Sequence, residues 1–307
     1  MITCITLNPS LDTEIFTENL SGRDAKATNV TYRIAGKALN AANALFSAGE
    51  TCRSIIFLGS TGDFASLPAP HQGIPHSRAM RQNFTFFEGD RLVSHVRSSF
   101  QSNMSELRPV FDWIGQNAGT DHLLVLAGSL PELSPEDRAK LIDNMKAFAS
   151  QLILDVSSLT LRELEDIRPH TIKLNYPEFC RLIDVSEGVE VVKAHLEMVH
   201  STTKAAIIVT QGRGDVLAIG SDSKFLKFSI AAEFASDSPS KIGSGDAFLA
   251  GYTSAVNAGA SFSDSVRKGI IFGVARQRAR RHEPIDYSDD ALIDLVNAPV
   301  ARSESGR

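Results

Sequence analysis

The runs His122-Leu123-Leu124-Val125-Leu126-Ala127 and Leu152-Ile153-Leu154-Asp155-Val156 flank a segment that opens Ser134-Pro135-Glu136-Asp137. Both runs are apolar on alternate and adjacent positions alike, as strands covered on both faces must be. Ser134 suits a helix N-cap, Pro135 the first helical position, and Asp137 the positive end of the first turn. The spacing predicts a helix over 135–149. Strand, helix and strand in that order make a parallel pair joined by a right-handed crossover.

The same alternation extends outward. Further strands are predicted at 2–7, 54–59, 171–174 and 205–210, and further helices at 36–49, 188–201, 245–258 and 262–281. The fold class is therefore α/β, with a mostly parallel central sheet between two helix layers, three layers in all. Two regions break the pattern. Asp12–Phe16 and Ala27–Ile34 read as half-exposed strands, and Gln82–Phe87, Glu88-Gly89-Asp90 and Arg91–Arg97 form a hairpin signal. Both leave the core near the carboxyl edge of the strands, where open α/β sheets bind ligands. They are expected to form a small β lid (about 12–34 and 82–97) on a core of about 1–11, 35–81 and 98–300, within a single domain spanning 1–307. A surface hairpin without a role is the alternative. The stretch 62–81, rich in Pro, His and Ser, is expected to be loop, and 301–307 a frayed tail.

Composition narrows the function classes. The 307 residues carry 31 Lys+Arg against 36 Asp+Glu, a net charge of −5, and 43% are hydrophobic. This is a globular composition, and its mild acidity argues against nucleic acid as a partner. No stretch reaches the ~20 apolar residues that span a bilayer, and the N-terminus lacks the basic region of a signal peptide. Cys4, Cys52 and Cys180 are odd in number and unpaired in spacing, which predicts no disulfide framework and a reducing, cytoplasmic location.

Three motifs carry chemistry. Ile242-Gly243-Ser244-Gly245-Asp246-Ala247-Phe248-Leu249-Ala250-Gly251 is a glycine-rich turn running into an apolar helix. Its N–H groups and positive helix end suit an anion, phosphate above all. Asp246 would repel that phosphate unless it takes a proton from an attacking hydroxyl; a plain helix cap is the alternative. No Walker A pattern and no complete G-x-G-x-x-G is present, which weakens the P-loop and dinucleotide readings. Lys173-Leu174-Asn175-Tyr176-Pro177-Glu178 passes from a strand end into a helix, and the oxygens of Asn175 and Glu178 suit Mg²⁺ held through water, with helix capping as the alternative. Ala35-Gly36-Lys37-Ala38-Leu39-Asn40 opens a helix of small residues and offers N–H groups, an ammonium and an amide to one ligand; a tightly packed helix is the alternative. Arg276, Arg278, Arg280 and Arg281 read as a solvated helix face, or as a contact for the nucleotide or an acidic partner. No histidine pair has the spacing of metal ligands on a helix.

Taken in order along the chain, these residues resemble the phosphofructokinase B family of sugar kinases, with its ribokinase-like fold. Leu7-Asn8-Pro9-Ser10-Leu11-Asp12 resembles the L-N-P-x-x-D opening of the branch that holds 1-phosphofructokinases and tagatose-6-phosphate kinases. Ala35 to Asn40 is similar to that branch's G-G-K-G-x-N, and Ala127-Gly128-Ser129-Leu130-Pro131 to its S-G-S-L-P. Asp155, Lys173 to Glu178 and Thr210-Gln211-Gly212 fall where the family has its D, K-x-N-x-x-E and nucleotide loop, and Ile242 to Asp246 resembles its G-A-G-D.

The resemblance implies ATP-dependent phosphorylation of a phosphosugar, fructose 1-phosphate to fructose 1,6-bisphosphate, with tagatose 6-phosphate or another sugar as runner-up. Asp246 would be the base, and the N–H groups of Gly243, Ser244 and Gly245 the anion hole. Asn175 and Glu178 would organise Mg²⁺ and its waters. Lys173, Thr210, Gly212 and Gly273 would line the nucleotide site. Asp12, Gly36, Lys37 and Asn40 would hold sugar hydroxyls, while Lys26 and Arg81 clamp the sugar phosphate above Ser129. The partners implied are a phosphosugar and ATP, with no nucleic acid and no membrane. A homodimer through the lid would cover Phe84, Phe86 and Phe87. The chain departs from the pattern at Ala35, Ala38, Asp215 and Lys241, and its 62–81 stretch is short. Ala38, Asp215 and the short 62–81 stretch motivate the other reading, a sugar-binding relative impaired in catalysis.

Overall fold

Alternate residues of the central strands face opposite helix layers, and that alternation builds the molecule. The structure, a computed structural model, describes residues 1–20, 24–58, 67–89, 91–188, 190–212, 214–229, 243–279, 285 and 287. Its large sheet comprises β1 (Ile2–Thr6), β4 (Cys52–Leu58), β5 (His71–Pro75), β8 (Leu123–Ala127), β9 (Leu152–Asp155), β10 (Thr171–Asn175), β11 (Ala206–Thr210), β12 (Val216–Ile219) and β13 (Phe225–Phe228). The order is β13-β12-β11-β10-β9-β8-β1-β4-β5. Every pair from β11 to β5 is parallel, and β12 and β13 add an antiparallel edge.

Leu124, Leu126, Leu152, Leu154, Ile207 and Val209 enter one core. Over them lie α2 (Met104–Asn117), α3 (Pro135–Lys146), α4 (Leu161–Ile167), α5 (Tyr176–Leu182) and α6 (Lys193–Thr203). The intervening Val125, Ala127, Ile153 and Ile208 enter the other, under α1 (Lys37–Ser47), α7 (Ser244–Asn257) and α8 (Phe262–Arg278). No helix among the described residues is long and apolar enough to cross a membrane. All three cysteines are free and buried.

The predicted strands and helices recur with shifts of a few residues at their ends. Five elements were not predicted, one of them α4, which the Thr160–Glu163 capping box opens. Within the stretch expected to be loop, β5 pairs in parallel with β4. Only its Ile74 is buried, so this edge strand carries no apolar run. Helix α2 holds Pro109 in its interior, which argues against a helix locally. Its N-cap Asn103 accepts from Glu106 N, and Leu107, Val110 and Ile114 on its inner face are essentially fully buried. Strands β12 and β13 have four residues each, too few for a period to register. The predicted tail, Lys241, Arg280 and Arg281 lie outside the described residues.

A second sheet has the order β3-β2-β6-β7 and is built from β2 (Ser10–Thr17), β3 (Ala27–Ala35), β6 (Arg81–Glu88) and β7 (Arg91–Arg97). Its register sets Asp12 beside Asn83 and Phe16 beside Phe87, whose rings stack at 4.9 Å. That stacking buries Phe87 and corrects the expected apolar exposure. Phe84 and Phe86 are half-buried, and the exposed large apolar residues of this sheet are Tyr32, Leu92, Val93 and Val96.

Two glycines set how closely elements approach. A Cβ on Gly36 would lie 2.5 Å from Thr6 Cγ2, and one on Gly251 would lie 2.5 Å from the Lys268 carbonyl oxygen. Gly36→Ala and Gly251→Ala are each expected to cost about 1–3 kcal/mol through overpacking. Thr6→Ser removes the obstructing methyl and should restore the melting temperature of Gly36→Ala alone, since the obstacle at Gly251 is backbone. Thermal unfolding of the singles and of the Gly36→Ala/Thr6→Ser double variant checks this.

Candidate active site

Strand parity gathers the polar residues. Leu152 and Leu154 face one core and Ile153 the other, so Asp155 emerges on the side of α1 and α7. The β9–β10 register pairs Ile172 with Leu154, which sets Lys173 beside Asp155. Asp155 is 0% exposed and Lys173 3%. Lys173 Nζ donates to Asp155 Oδ2 at 2.7 Å, and Lys37 Nζ to Asp155 Oδ1 at 2.8 Å. Lys37 Nζ also reaches Glu178 Oε1 at 3.1 Å. Burial alone would raise the Asp155 pKa, but the Lys173 and Lys37 ammoniums hold it below its ordinary value. Burial would likewise lower Lys37, but Asp155 and Glu178 hold it above its ordinary value.

Asp246 lies in the first turn of α7, behind Gly243, whose φ of 86° places it in the left-handed region. The Asp246 side chain accepts from Asn40 Nδ2 at 2.8 Å. Burial pushes its carboxyl above the ordinary range; the Asn40 bond opposes this, and the Asp155 charge adds to it. Gly245 lies beneath Lys173, whose Nζ would sit 3.2 Å from a Cβ there, so the lysine reaches the turn over bare backbone.

Asn175 and Glu178 cap α5 reciprocally. Asn175 Oδ1 accepts from Glu178 N at 2.9 Å, and Glu178 Oε2 accepts from Asn175 N at 2.9 Å. Helix capping, the alternative reading of this motif, is thus present. Among the described residues no group of three His, Cys, Asp or Glu side chains is set to hold a metal. One carboxylate with a neighbouring amide is a hard-oxygen set that fits Mg²⁺ held mainly by water and substrate phosphates. Thr210 ends β11 opposite Asn175, and Gly212 stands exposed in the turn that follows, with φ 66°. A Cβ on Gly273 of α8 would lie 3.3 Å from the Ser244 carbonyl oxygen.

A second group forms at the inner end of the small sheet. Asp12 Oδ1 accepts from Ser10 Oγ and from Asn83 Nδ2, both at 2.7 Å. Arg81 Nε donates to the Asn8 carbonyl oxygen at 3.3 Å, and Asn8 Nδ2 donates to Ser129 Oγ at 3.0 Å. Burial and the Arg97 charge lower the Arg81 pKa, and Asp12 opposes them. The same groups act on His95: burial and Arg97 hold it below its ordinary value, and Asp12 pulls it up.

Of the residues singled out in the sequence, the structure brings Lys37, Asn40, Lys173, Asn175, Glu178 and Asp246 together, with Gly243–Gly245 at the same helix end. Asp12, Arg81 and Ser129 form the second group, tied through Asn8. Lys26 stands apart: it is exposed beside the Ala27–Thr17 end of the small sheet. Five strand positions, roughly 16 Å, separate that end from Asp12. Asp155 as the hub of the ion pairs, and Asn83 as partner of Asp12, were not assigned from sequence. The two-residue period of the hairpin puts Asn83 on the face of Arg81, but nothing local distinguishes it from its neighbours.

Residues 100–279, more than half of the chain, match the family described as pfkB family carbohydrate kinase. The chain belongs to that family. The 1-phosphofructokinase of Borreliella burgdorferi is 26% identical over 283 residues, which cover 90% of this chain and 91% of that protein. The crystal structure of Escherichia coli phosphofructokinase-2 in complex with potassium is 22% identical and superposes with a TM-score of 0.81, covering 96% of this chain and 97% of that one. The tetrameric inhibited form of the same E. coli protein gives 0.79 over the same shares, again at 22% identity. The ribokinase-like fold is therefore shared. This pfkB-family protein is a sugar kinase, a phosphotransferase whose family implies ATP as donor.

The ion-pair hub makes a stability prediction for the kinase. Asp155→Asn would leave Lys173 buried with an uncompensated charge, a loss of about 3–5 kcal/mol. Urea unfolding should show it, and Asp155→Leu/Lys173→Met, which removes both charges, should recover part of the loss. A double variant no more stable than Asp155→Asn would contradict the pairing.

Proposed function

We propose that this kinase phosphorylates fructose 1-phosphate to fructose 1,6-bisphosphate with ATP, using Asp246 as the base. The observation that carries the reading is the buried Asp246 carboxylate at the head of α7, oriented by Asn40 and set behind the glycine turn. Asp246 takes the proton of a primary hydroxyl as that oxygen attacks the γ-phosphorus in line. The new O–P bond forms as the bond to the β-phosphate oxygen breaks, and ADP leaves. The N–H groups of Gly243, Ser244 and Gly245, at the positive end of α7, hold charge on the transferred group. Glu178 and Asn175 would hold Mg²⁺ through water; when bound, it neutralises phosphate charge. Lys173, Thr210, Gly212 and Gly273 line the nucleotide side.

On the sugar side, Lys37 has spent two of its three N–H donors on Asp155 and Glu178, which leaves one for substrate. Asn40 likewise keeps one amide hydrogen. Asp12 and the Gly36 backbone face sugar hydroxyls. The amide oxygens of Asn8 and Asn83 are buried without a partner, and a sugar hydroxyl would satisfy either. Arg81, with Arg97 near it and Ser129 beyond Asn8, takes the sugar phosphate; Lys26 is left outside this pocket. The small sheet acts as the lid, and its exposed Tyr32, Leu92, Val93 and Val96 favour a homodimer through it. The choice of fructose 1-phosphate rests on the motif resemblance and the Borreliella burgdorferi relative. The free, buried cysteines support a cytoplasmic location.

Coupled ADP-release assays over fructose 1-phosphate, fructose 6-phosphate, tagatose 6-phosphate and free fructose test the substrate. Fructose 1-phosphate should give the highest kcat/KM, and preference for the free sugar would overturn the reading. Asp246→Asn should keep ATP binding and lose about 10²–10⁴-fold in kcat. The acid limb of kcat/KM should lie above the ordinary aspartate value of about 4, because burial raises Asp246 and the base works only when deprotonated. Asn40→Ala removes a bond that favours the charged form, so its limb should move to still higher pH.

A further inference from the structure

We propose that Glu106 is a positioning residue for the phosphosugar, one that locks the two chain crossings carrying β6 and β7 and so sets where Arg81 stands. This role rests on the reading of Arg81 and Ser129 as the phosphate side of the pocket. The small sheet joins the core through residues 7–9, 36, 76–80 and 98–103. Glu106, in the first turn of α2, bonds to the last two of these. Its Oε1 accepts from Ser77 Oγ at 2.7 Å. Its Oε2 accepts from Ser102 Oγ at 3.1 Å and from His76 Nε2 at 3.2 Å. His76 Nδ1 accepts from Arg78 N at 2.8 Å, which assigns the ring proton to Nε2, facing the carboxylate.

The direction of the Glu106 side chain is informative. Asn103 caps α2, which puts Glu106 at the third helical position. Glu163 and Glu178 hold that position in α4 and α5, and each turns back to the N–H of its own cap. Glu106 instead spends both oxygens on the two crossings. Burial alone would raise its pKa, but the Ser77, Ser102 and His76 bonds hold the carboxyl below its ordinary value. The His76 ring is buried, 4.6 Å from the Phe57 ring and 4.7 Å from the Phe100 ring, so the clamp is seated on the core. From the clamp to the pocket the paths are short. Arg81 follows His76 by five residues, with buried Met80 anchoring the connection, and its Nε donates to the Asn8 carbonyl oxygen. Gln82 N donates to Ser98 Oγ at 2.8 Å, which joins the crossings again where the strands begin. Ser102 N donates to the Glu132 carbonyl oxygen, and Glu132 N to that of Phe100. These bonds tie the 98–103 crossing to the loop of Ser129 and Leu130, which hold the Asn8 amide. One carboxylate thus stands behind Arg81, Asn8 and Ser129 without a bond to any of them.

Steady-state kinetics and thermal unfolding of wild type, Glu106→Gln, Arg81→Met and the double variant test this. Glu106→Gln keeps the shape but leaves one acceptor oxygen where the carboxylate has two. It should raise the KM for fructose 1-phosphate about tenfold, with kcat and the KM for ATP near wild type. In the Arg81→Met background the same change should add little, because the residue it positions is gone. An unchanged phosphosugar KM in Glu106→Gln, or an equal further rise in the Arg81→Met background, would overturn the assignment. A lower melting temperature with wild-type KM would likewise overturn it, and would mean that the clamp only stabilises the fold. Ser77→Ala/Ser102→Ala replaces Glu106→Gln if the latter does not fold, with the same expectations, since it removes one bond from each crossing. A raised KM in Arg81→Met with none in Glu106→Gln would sink the role of Glu106 alone. Turnover of a different phosphosugar would sink the choice of fructose 1-phosphate alone, and the same comparison is then read on that sugar. Turnover of no phosphosugar, or a wild-type KM in Arg81→Met, would overturn both the phosphate-side reading and the role of Glu106.

Discussion

One carboxylate holds the centre of this kinase. Asp155 has no exposure to solvent, and each of its oxygens accepts from a different ammonium. Lys173 comes from the neighbouring strand and Lys37 from the first helix, so the pair of bonds ties β9, β10 and α1 at one point. Lys37 then extends the tie to Glu178 on α5. A buried charge of this kind is stable only when all its partners are present. The strand ends and helix starts around it are thereby committed to one arrangement.

That arrangement also divides the labour among three carboxylates. Asp155 and Glu178 each contact an ammonium at hydrogen-bond distance, whereas the Asp246 side chain is bonded by an amide. An amide orients a carboxylate without neutralising it. Burial keeps the proton affinity of Asp246 raised, beside an Asp155 that two ammoniums hold below its ordinary value. The distinction arises from position: Asp155 and Lys173 share a sheet face by strand parity, while Asp246 arrives on α7 from far along the chain. Two carboxylates of one cluster, Asp246 and Asp155, thus carry opposite shifts in pKa.

Most of the fold could be read from period and capping, and much of the site from motif order, for a common reason. Apolar runs such as Leu123–Ala127 and caps such as Ser134 act locally, so their message survives without tertiary context. The elements missed were those where local signals conflict or run short. Pro109 speaks against α2, and only burial of its inner face outweighs it. β5 contributes a single buried side chain and takes its strand form from β4. In the site, the glycine turn and the Asn175–Glu178 box were legible, but the Asn40–Asp246 bond joins residues 206 positions apart and no local pattern encodes it. Lys26 shows the opposite error: its place in the motif order suited a phosphate clamp, while the antiparallel β2–β3 register carries it to the far end of the small sheet.

The same register argument explains why the second polar group has Asn83 at its centre. On β2, Ser10 and Asp12 face one way, and pairing with β6 sets Arg81 and Asn83 beside them. Asn83 donates to both Ser10 Oγ and Asp12 Oδ1, which leaves its own amide oxygen without a partner. Asp12 is thereby fixed as an acceptor, with Arg33 3.6 Å away balancing its charge. A carboxylate already held by an amide and a hydroxyl cannot swing to meet a ligand; it presents a preset edge. The Asp12–Asn83 pairing thus depends on the β2–β6 register. A slip of one residue would send Asp12 and Asn83 to opposite faces, and no change of side chain at either position could restore the pair.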